Sequence, residues 1–272
     1  MELWDTHLHT SFSGDCEVSP SEMISAARER GLSGIIITDH LDWDYFKSPG
    51  MFDLDIPEYI NTIGTLRKES QNTDFKIGMG IELGLQEHLS AKHEALLKEY
   101  DFDQVIGSIH QVDEMDPYYE DFYKGRDIYD AYEDYLSAAI VNLSLFPKID
   151  TLGHLDYASR YGIRYFGKEK GALRYEDHRA SIDKILMFLI ESDICLEVNT
   201  GAFRSGMDEP NPSYRILSRY YEMGGRAITL GGDAHHTEHI ALEFENVIKC
   251  LKEIGFKEYR IYRSRKPITL PL

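Results

Sequence analysis

Cysteine is scarce in this 272-residue chain: Cys16, Cys195 and Cys250 are the only three, and no CxxC pair occurs. A disulfide scaffold and thiol-pair redox chemistry are therefore not expected. Cys195 lies in an apolar run and Cys250 in a helical one, so both read as small buried hydrophobes, while Cys16 borders the candidate site described below. No apolar run approaches the ~20 residues needed to cross a bilayer, and no signal peptide opens the chain. The expectation is a reduced, cytoplasmic protein without a membrane partner. Basic residues are also in deficit, 29 against 47 acidic, for a formal charge of −18. A protein that lives on phosphate backbones normally carries a basic patch, so nucleic acid is not expected as a partner. The excess acid reads as a well-solvated surface, offset in part by bound divalent cations. Neither a GxSxG elbow nor a phosphate-cradling P-loop sequence is present, which argues against serine-hydrolase and nucleoside-triphosphate chemistry. Internal repeats, low-complexity runs and linkers are missing too. Residues 1–272 therefore read as one domain, long enough for a full hydrophobic core.

What the chain does have is histidine at particular places. The opening run Trp4-Asp5-Thr6-His7-Leu8-His9 puts two imidazoles one residue apart, on the same side of a short strand. Next, Ser19-Pro20-Ser21-Glu22 has the pattern of a capping box with proline in the first turn, and Gly31 is placed to end that helix. Gly34–Thr38 is a β-branched apolar run, the mark of a strand buried on both faces, and it leads into Asp39-His40. The alternation continues. The strand Lys76–Ile81 delivers Glu82, Gln104–Ile109 delivers His110, and Thr151–Gly153 delivers His154. Ile194–Val198 leads into Asn199, and Ala227–Leu230 opens onto Gly231-Gly232-Asp233-Ala234-His235-His236. Helices are expected between these strands, and a final strand over Glu258–Tyr262. Two stretches, Leu41–Pro57 and Gln111–Gly125, read as long aromatic and acidic loops, and Arg160–Gly171 as a third loop.

Strand–helix alternation with short, fully apolar strands argues a parallel sheet covered by helices. Since nearly every strand end carries a polar cluster, a (β/α) barrel fits better than an open sheet, whose ligands gather at one switch point. The strand-end residues His7, His9, Asp15, His40, Glu82, His110, His154, Asp233 and His235 include six of the eleven histidines. So many bunched polar side chains would be costly to bury without a role. They exceed what one metal ion needs, and imidazole with carboxylate and no thiolate suits Zn, Mn or Fe. A site with two or three metals follows, and with it hydrolysis, above all of a phosphate ester. Arg160 and Arg204 are the arginines best placed to meet a phosphate. Asp42, Glu114 and Asp116, in the long loops, are candidates for recognising the rest of a substrate. Glu197 is read as structural or as ordering Arg204. His88, His93, His178 and His239 are expected away from the site.

The segments WDTHLHTSFSGD, ITDH, GIELGL, GSIHQV, LGHLDYASRYG, EVNTGAFR and GGDAHH resemble the motifs of the polymerase and histidinol phosphatase (PHP) superfamily. Their order and spacing, from Asp5 to His235, are similar to those of its histidinol-phosphatases. The resemblance implies a distorted (β/α)7 TIM-like barrel with a trinuclear metal centre at the C-terminal ends of the strands. It implies one ion on His7, His9, Glu82 and Asp233, with Glu82 bridging to a second held with His110 and His154. A third would sit on Asp15, His40 and His235, where Asp15 occupies a position that is histidine in many relatives. The activity implied is hydrolysis of L-histidinol phosphate in histidine biosynthesis. A metal-bridging hydroxide attacks phosphorus, and Asp233, His235 or a metal-bound water protonates the leaving alkoxide. Two other readings stay open: the same chemistry on another small phosphate ester or phosphotyrosine, and a non-catalytic metal-stabilised binding module. Oligomeric state is left open.

Overall fold

A computed structural model describes residues 2–272. Its core is a ring of parallel strands: β1 (Trp4–Leu8), β2 (Gly34–Ile37), β4 (Lys76–Gly84), β5 (Gln104–Ser108), β6 (Thr151–Leu152), β7 (Cys195–Asn199) and β8 (Ile228–Gly231). They hydrogen-bond in sequence order, and the two-residue β3 (His40–Leu41) adds onto β4. The ring closes where β1 meets the end of β8: Leu8 bridges Ala234, the His9 N–H donates to the Ala234 carbonyl at 2.9 Å, and the Asp233 N–H to the His7 carbonyl at 2.7 Å. This is the expected seven-stranded barrel. Its strands are apolar along their whole length because helices cover the outside and side chains fill the inside. Ile35, Ile36, Ile37, Ile81, Val105 and Leu196 are all fully buried or nearly so, each worth about 1.5–3 kcal/mol of transfer free energy.

The helices are α1 (Pro20–Glu29), α2 (Ile56–Glu69), α3 (Ser90–Glu99), α4 (Ile128–Leu145), α5 (Ala158–Gly171), α6 (Arg179–Ser192), α7 (Tyr214–Glu222) and α8 (Phe244–Ile254). The capping box of α1 forms as its residues dictate, with Ser19 accepting from the Glu22 N–H and Glu22 from that of Ser19. Two expectations need correcting. Residues 160–171 are not a loop but lie in α5, which kinks at Gly167 (φ 77°). Three glycines, Gly162, Gly167 and Gly171, weaken the intrinsic helical signal there, and tertiary contacts supply what propensity does not. Gly162 lies so close to the Tyr132 hydroxyl and the Gly171 carbonyl that no Cβ would fit. The strand β9 (Glu258–Arg263) also does not stand alone. It pairs antiparallel with β10 (Lys266–Pro271), a strand whose two prolines hide it from propensity-based reading. This hairpin backs the barrel where the strands begin: the Trp4 N–H donates to the Tyr259 hydroxyl (3.1 Å), and the Tyr262 hydroxyl to the Asp150 carbonyl (3.1 Å).

Candidate metal centre

Parallel pairing puts every strand's C-terminal end at one mouth of the barrel, and the register fixes which side chains meet there. His40 on β3 is the pairing partner of Glu82 on β4. Glu82 is fully buried and forms the hub. Its Oε1 lies 3.0 Å from His154 Nε2 and 3.4 Å from His110 Nε2, while Oε2 lies 2.8 Å from His40 Nδ1, 3.3 Å from His7 Nε2 and 3.5 Å from His9 Nε2. One carboxylate thus faces two separate groups of imidazoles, the arrangement a bridging ligand needs. Asp233 takes up a left-handed backbone (φ 51°) and turns Oδ1 towards His9 Nε2 (3.4 Å) and His235 Nδ1 (3.6 Å). At the rim, half-exposed Asp15 places Oδ2 3.2 Å from His235 Nε2 and 3.9 Å from His40 Nε2. All nine strand-end residues therefore converge.

A surrounding layer of side chains aims the imidazoles. His7 Nδ1 sits 2.6 Å from Glu197 Oε1, His110 Nδ1 2.6 Å from Asp42 Oδ1, and His9 Nδ1 3.1 Å from the Ser13 hydroxyl, which donates to Asp39. With these three Nδ1 atoms engaged outside, the Nε2 atoms of His7, His9 and His110 point to the centre, as is usual for metal-binding histidines. Glu197 thus orders His7, not Arg204. Asp42 carries His110 and also lies 3.4 Å from His40 Nδ1; its position, two residues past a strand-end histidine, was the available signal. The glycine pair before Asp233 is steric: at Gly231 a Cβ would collide with Glu197 and with His7.

Tests for a metal come from chemistry already in place. Glu82 Oε2, His40 Nδ1, Asp42 Oδ2 and His154 Nδ1 are buried without a hydrogen-bond partner, and His7 Nε2 faces His9 Nε2 at 3.1 Å. Four sets of ligand atoms lie close enough to share an ion: His7 with His9 and Asp233, His7 with Glu82 and His154, His9 with His40 and His235, and His40 with Asp42 and His110. These sets overlap the three that the resemblance implies and add Asp42. In the metal-free protein, burial opposes charging the His110 ring, but Asp42 and Glu82 outweigh it and push its pKa up to about 10. Burial works against ionised Glu82 in the same way, yet the rings of His7, His40 and His110 hold its carboxyl well below the usual range.

Arg160 and Arg204 both line the cavity over this cluster, which measures about 510 Å³. Buried Arg160 donates to Asp233 Oδ2 (2.9 Å), Asn211 Oδ1 (2.6 Å) and Asn199 Oδ1 (2.7 Å). Arg204 Nη2 stands 3.6 Å from Asp233 Oδ2 and is partly open to the cavity. Asn199, met in the sequence only as a strand end, and Asn211, unremarked there, link Arg160 to Glu197 and to Asp156. The far wall is aromatic, with Tyr45, Phe52, Tyr118 and Tyr157 around buried Asp116, which accepts from the Tyr45 hydroxyl at 2.7 Å. His239, expected elsewhere, lines the cavity beside His236. His93 and His178 do lie apart: His93 packs between Trp43 and Phe146, and His178 pairs with Glu133.

Comparison with known proteins agrees with this geometry. The PHP domain model matches residues 5–201. The probable histidinol-phosphatase of Clostridium acetobutylicum is 33% identical over 94% of this chain and 95% of its own length. The histidinol-phosphatase of Lactococcus lactis is 31% identical over 98% of this chain and 96% of its own. A crystal structure of histidinol phosphate phosphatase from L. lactis, complexed with Zn, L-histidinol and phosphate, superposes with a TM-score of 0.87 at 29% identity, covering 97% of this chain and 98% of that one. A structure from Listeria monocytogenes, 20% identical, shares the fold (TM-score 0.76; 90% of this chain, 99% of that one). The chain belongs to the PHP domain family.

Proposed function

We propose that this protein is a histidinol-phosphatase: a metal-dependent phosphomonoesterase that hydrolyses L-histidinol phosphate to L-histidinol and phosphate, in histidine biosynthesis. The observation that carries the reading is the convergence of nine N/O side chains at the barrel mouth, five of them imidazoles set around the two oxygens of Glu82, beneath a cavity, in a chain that superposes on a relative solved with Zn, L-histidinol and phosphate. His7, His9, Glu82 and Asp233 would hold one divalent ion, Glu82, His110 and His154 a second, and Asp15, His40 and His235 a third, as Zn, Mn or Fe. Such ions supply charge neutralisation on the phosphate and a hydroxide nucleophile near neutral pH.

The chain's own residues do the rest. Arg204 and the uncommitted N–H groups of Arg160 are the cations available to the phosphate oxygens. Arg160 also fixes Asp233 Oδ2, which leaves Oδ1 free to face inward. Asp233 and His235 stand at the cavity face, from which the leaving alkoxide takes its proton. The aromatic wall suits a flat imidazole, and the Asp116 carboxylate suits an ammonium group. Among the described residues no helix is long and apolar enough to cross a membrane. With the three cysteines free, we place the reaction in the cytoplasm and residues 1–272 in one catalytic domain.

The test is phosphate release from a panel of phosphomonoesters and one phosphodiester, with metal content measured on the same sample. A kcat/KM for L-histidinol phosphate well above all others is expected. Equal, slow rates on every ester would keep the hydrolytic machinery and discard the substrate.

A further inference from the structure

Far from the barrel mouth, α4 and α6 pack side by side and leave an apolar face outward. Val141 and Leu145 on α4 and Met187 on α6 are exposed at 37%, 48% and 42%. A shallow groove between the helices is lined by Ile140, Leu143, Ser144, Lys184, Met187 and Phe188. In a chain carrying a charge of −18, Leu136–Phe146 contains no charged residue, and neither does Ile185–Ile190. Single exposed apolar side chains need no explanation, but a contiguous uncharged face on a strongly acidic protein does.

The charges at its edges say what fits there. Lys184 and Glu191 are both exposed, and neither has an ion-pair partner among the described residues. They are seven positions apart on α6, two turns or about 10 Å along the same side of the helix. Met187 and Phe188 fall midway between them. Such a stripe, cationic at one end and anionic at the other, is complementary to itself when turned end for end. A twofold axis through its middle brings each lysine to the other copy's glutamate, and identical apolar side chains onto one another. An apolar centre with a charged rim is also the composition of stable interfaces.

We propose that the α4–α6 face is the docking surface for a second copy of this chain, with the two α6 helices antiparallel about a twofold axis near Met187 and Phe188. Lys184 of each copy then pairs with Glu191 of the other, and the α4 residues Val141 and Leu145 extend the contact on both sides.

The experiment is sedimentation velocity on the full-length, metal-loaded protein at micromolar concentrations, with charge reversals at the two rim positions. The wild type is expected to sediment with the mass of two chains. Lys184→Glu alone, or Glu191→Lys alone, sets like charges opposite each other twice and weakens dimerisation by about tenfold or more. The double variant Lys184→Glu/Glu191→Lys restores it, which no loss of folding could mimic. Met187→Asp yields folded monomers whose melting temperature no longer rises with protein concentration. A wild type that stays monomeric throughout the range overturns the proposal. So does a dimer indifferent to single reversals, or single-variant losses that the double variant does not recover.

Discussion

Glu82 engages imidazoles through both oxygens, so Glu82→Gln removes a charge and one acceptor from two groups of histidines at once. The expected outcome is loss of at least about a thousandfold in kcat with sub-stoichiometric metal, read by elemental analysis beside the activity assay. Glu197→Gln loosens only the hold on the outer nitrogen of His7, whereas Asp42→Asn loosens His110 and also removes a charge beside His40. Each should cost about 10–100-fold in metal affinity or activity, with added metal recovering part of it. The metal-free protein also predicts a proton count. Burial alone would discharge His110, but Asp42 and Glu82 raise its pKa to about 10, and His7 and His40 are shifted upward by the same kind of carboxylate neighbours. The shifts favour the protonated rings, and rings so shifted must lose protons before they ligate. Calorimetry in two buffers of different ionisation enthalpy should show proton release on zinc binding and weaker binding as pH falls. Uptake, or no exchange, would contradict it. The converging residues were legible as a set, because so many histidines and carboxylates stand at or past the ends of apolar strands. Their supports were not. Asn211 is an ordinary loop residue in sequence that meets Arg160 only in the folded barrel, and Ser13, though four residues from His9, gains its role only once Asp39 aims its hydroxyl.

Helix α5 shows where propensity gives out. Its glycines argue against a helix, yet Gly162 is what lets the helix sit against Tyr132 and the Gly171 carbonyl. Gly162→Val, a better-behaved residue in sequence terms, should destabilise the fold by about 1–3 kcal/mol through overpacking, seen as a lower denaturant midpoint. By contrast α1 was readable from four residues, because its capping box is a local device. Ser19→Ala should cost about 1 kcal/mol and leave turnover unchanged, since the cap is on the surface. Local chemistry is visible in a sequence; a helix held by its neighbours is not.

At the scale of the molecule, strand–helix alternation indicated a parallel sheet covered by helices, and the polar cluster at nearly every strand end favoured a barrel over an open sheet. Only half of the floor was indicated: a strand was expected over Glu258–Tyr262, but not the strand that pairs with it. β10 carries two prolines and a mostly exposed face, and its partner β9 is fixed by contacts with Trp4 and Asp150 from distant strands. Removing bound metal should matter globally, because ligands from β1, β3, β4 and the end of β8 then repel or lie unpaired in the barrel mouth. Chelation is expected to lower the melting temperature and stoichiometric zinc to restore it, through preferential binding to the folded state. Identical melting curves with and without chelator would remove the centre from the stability account.

The barrel is closed by its first and last strands, and a buried carboxylate on β1 seals that seam: Asp5 accepts from the N–H groups of Gly232, 227 residues away, and of Ala241. A ribosome makes about 5–20 residues per second, so β1 waits on the order of ten seconds or more for β8 to emerge. Until then His7 and His9 have no Asp233 beside them. The nascent chain carries its first two histidines early but cannot complete the centre until β8 has emerged, so assembly of the site waits on one late pairing.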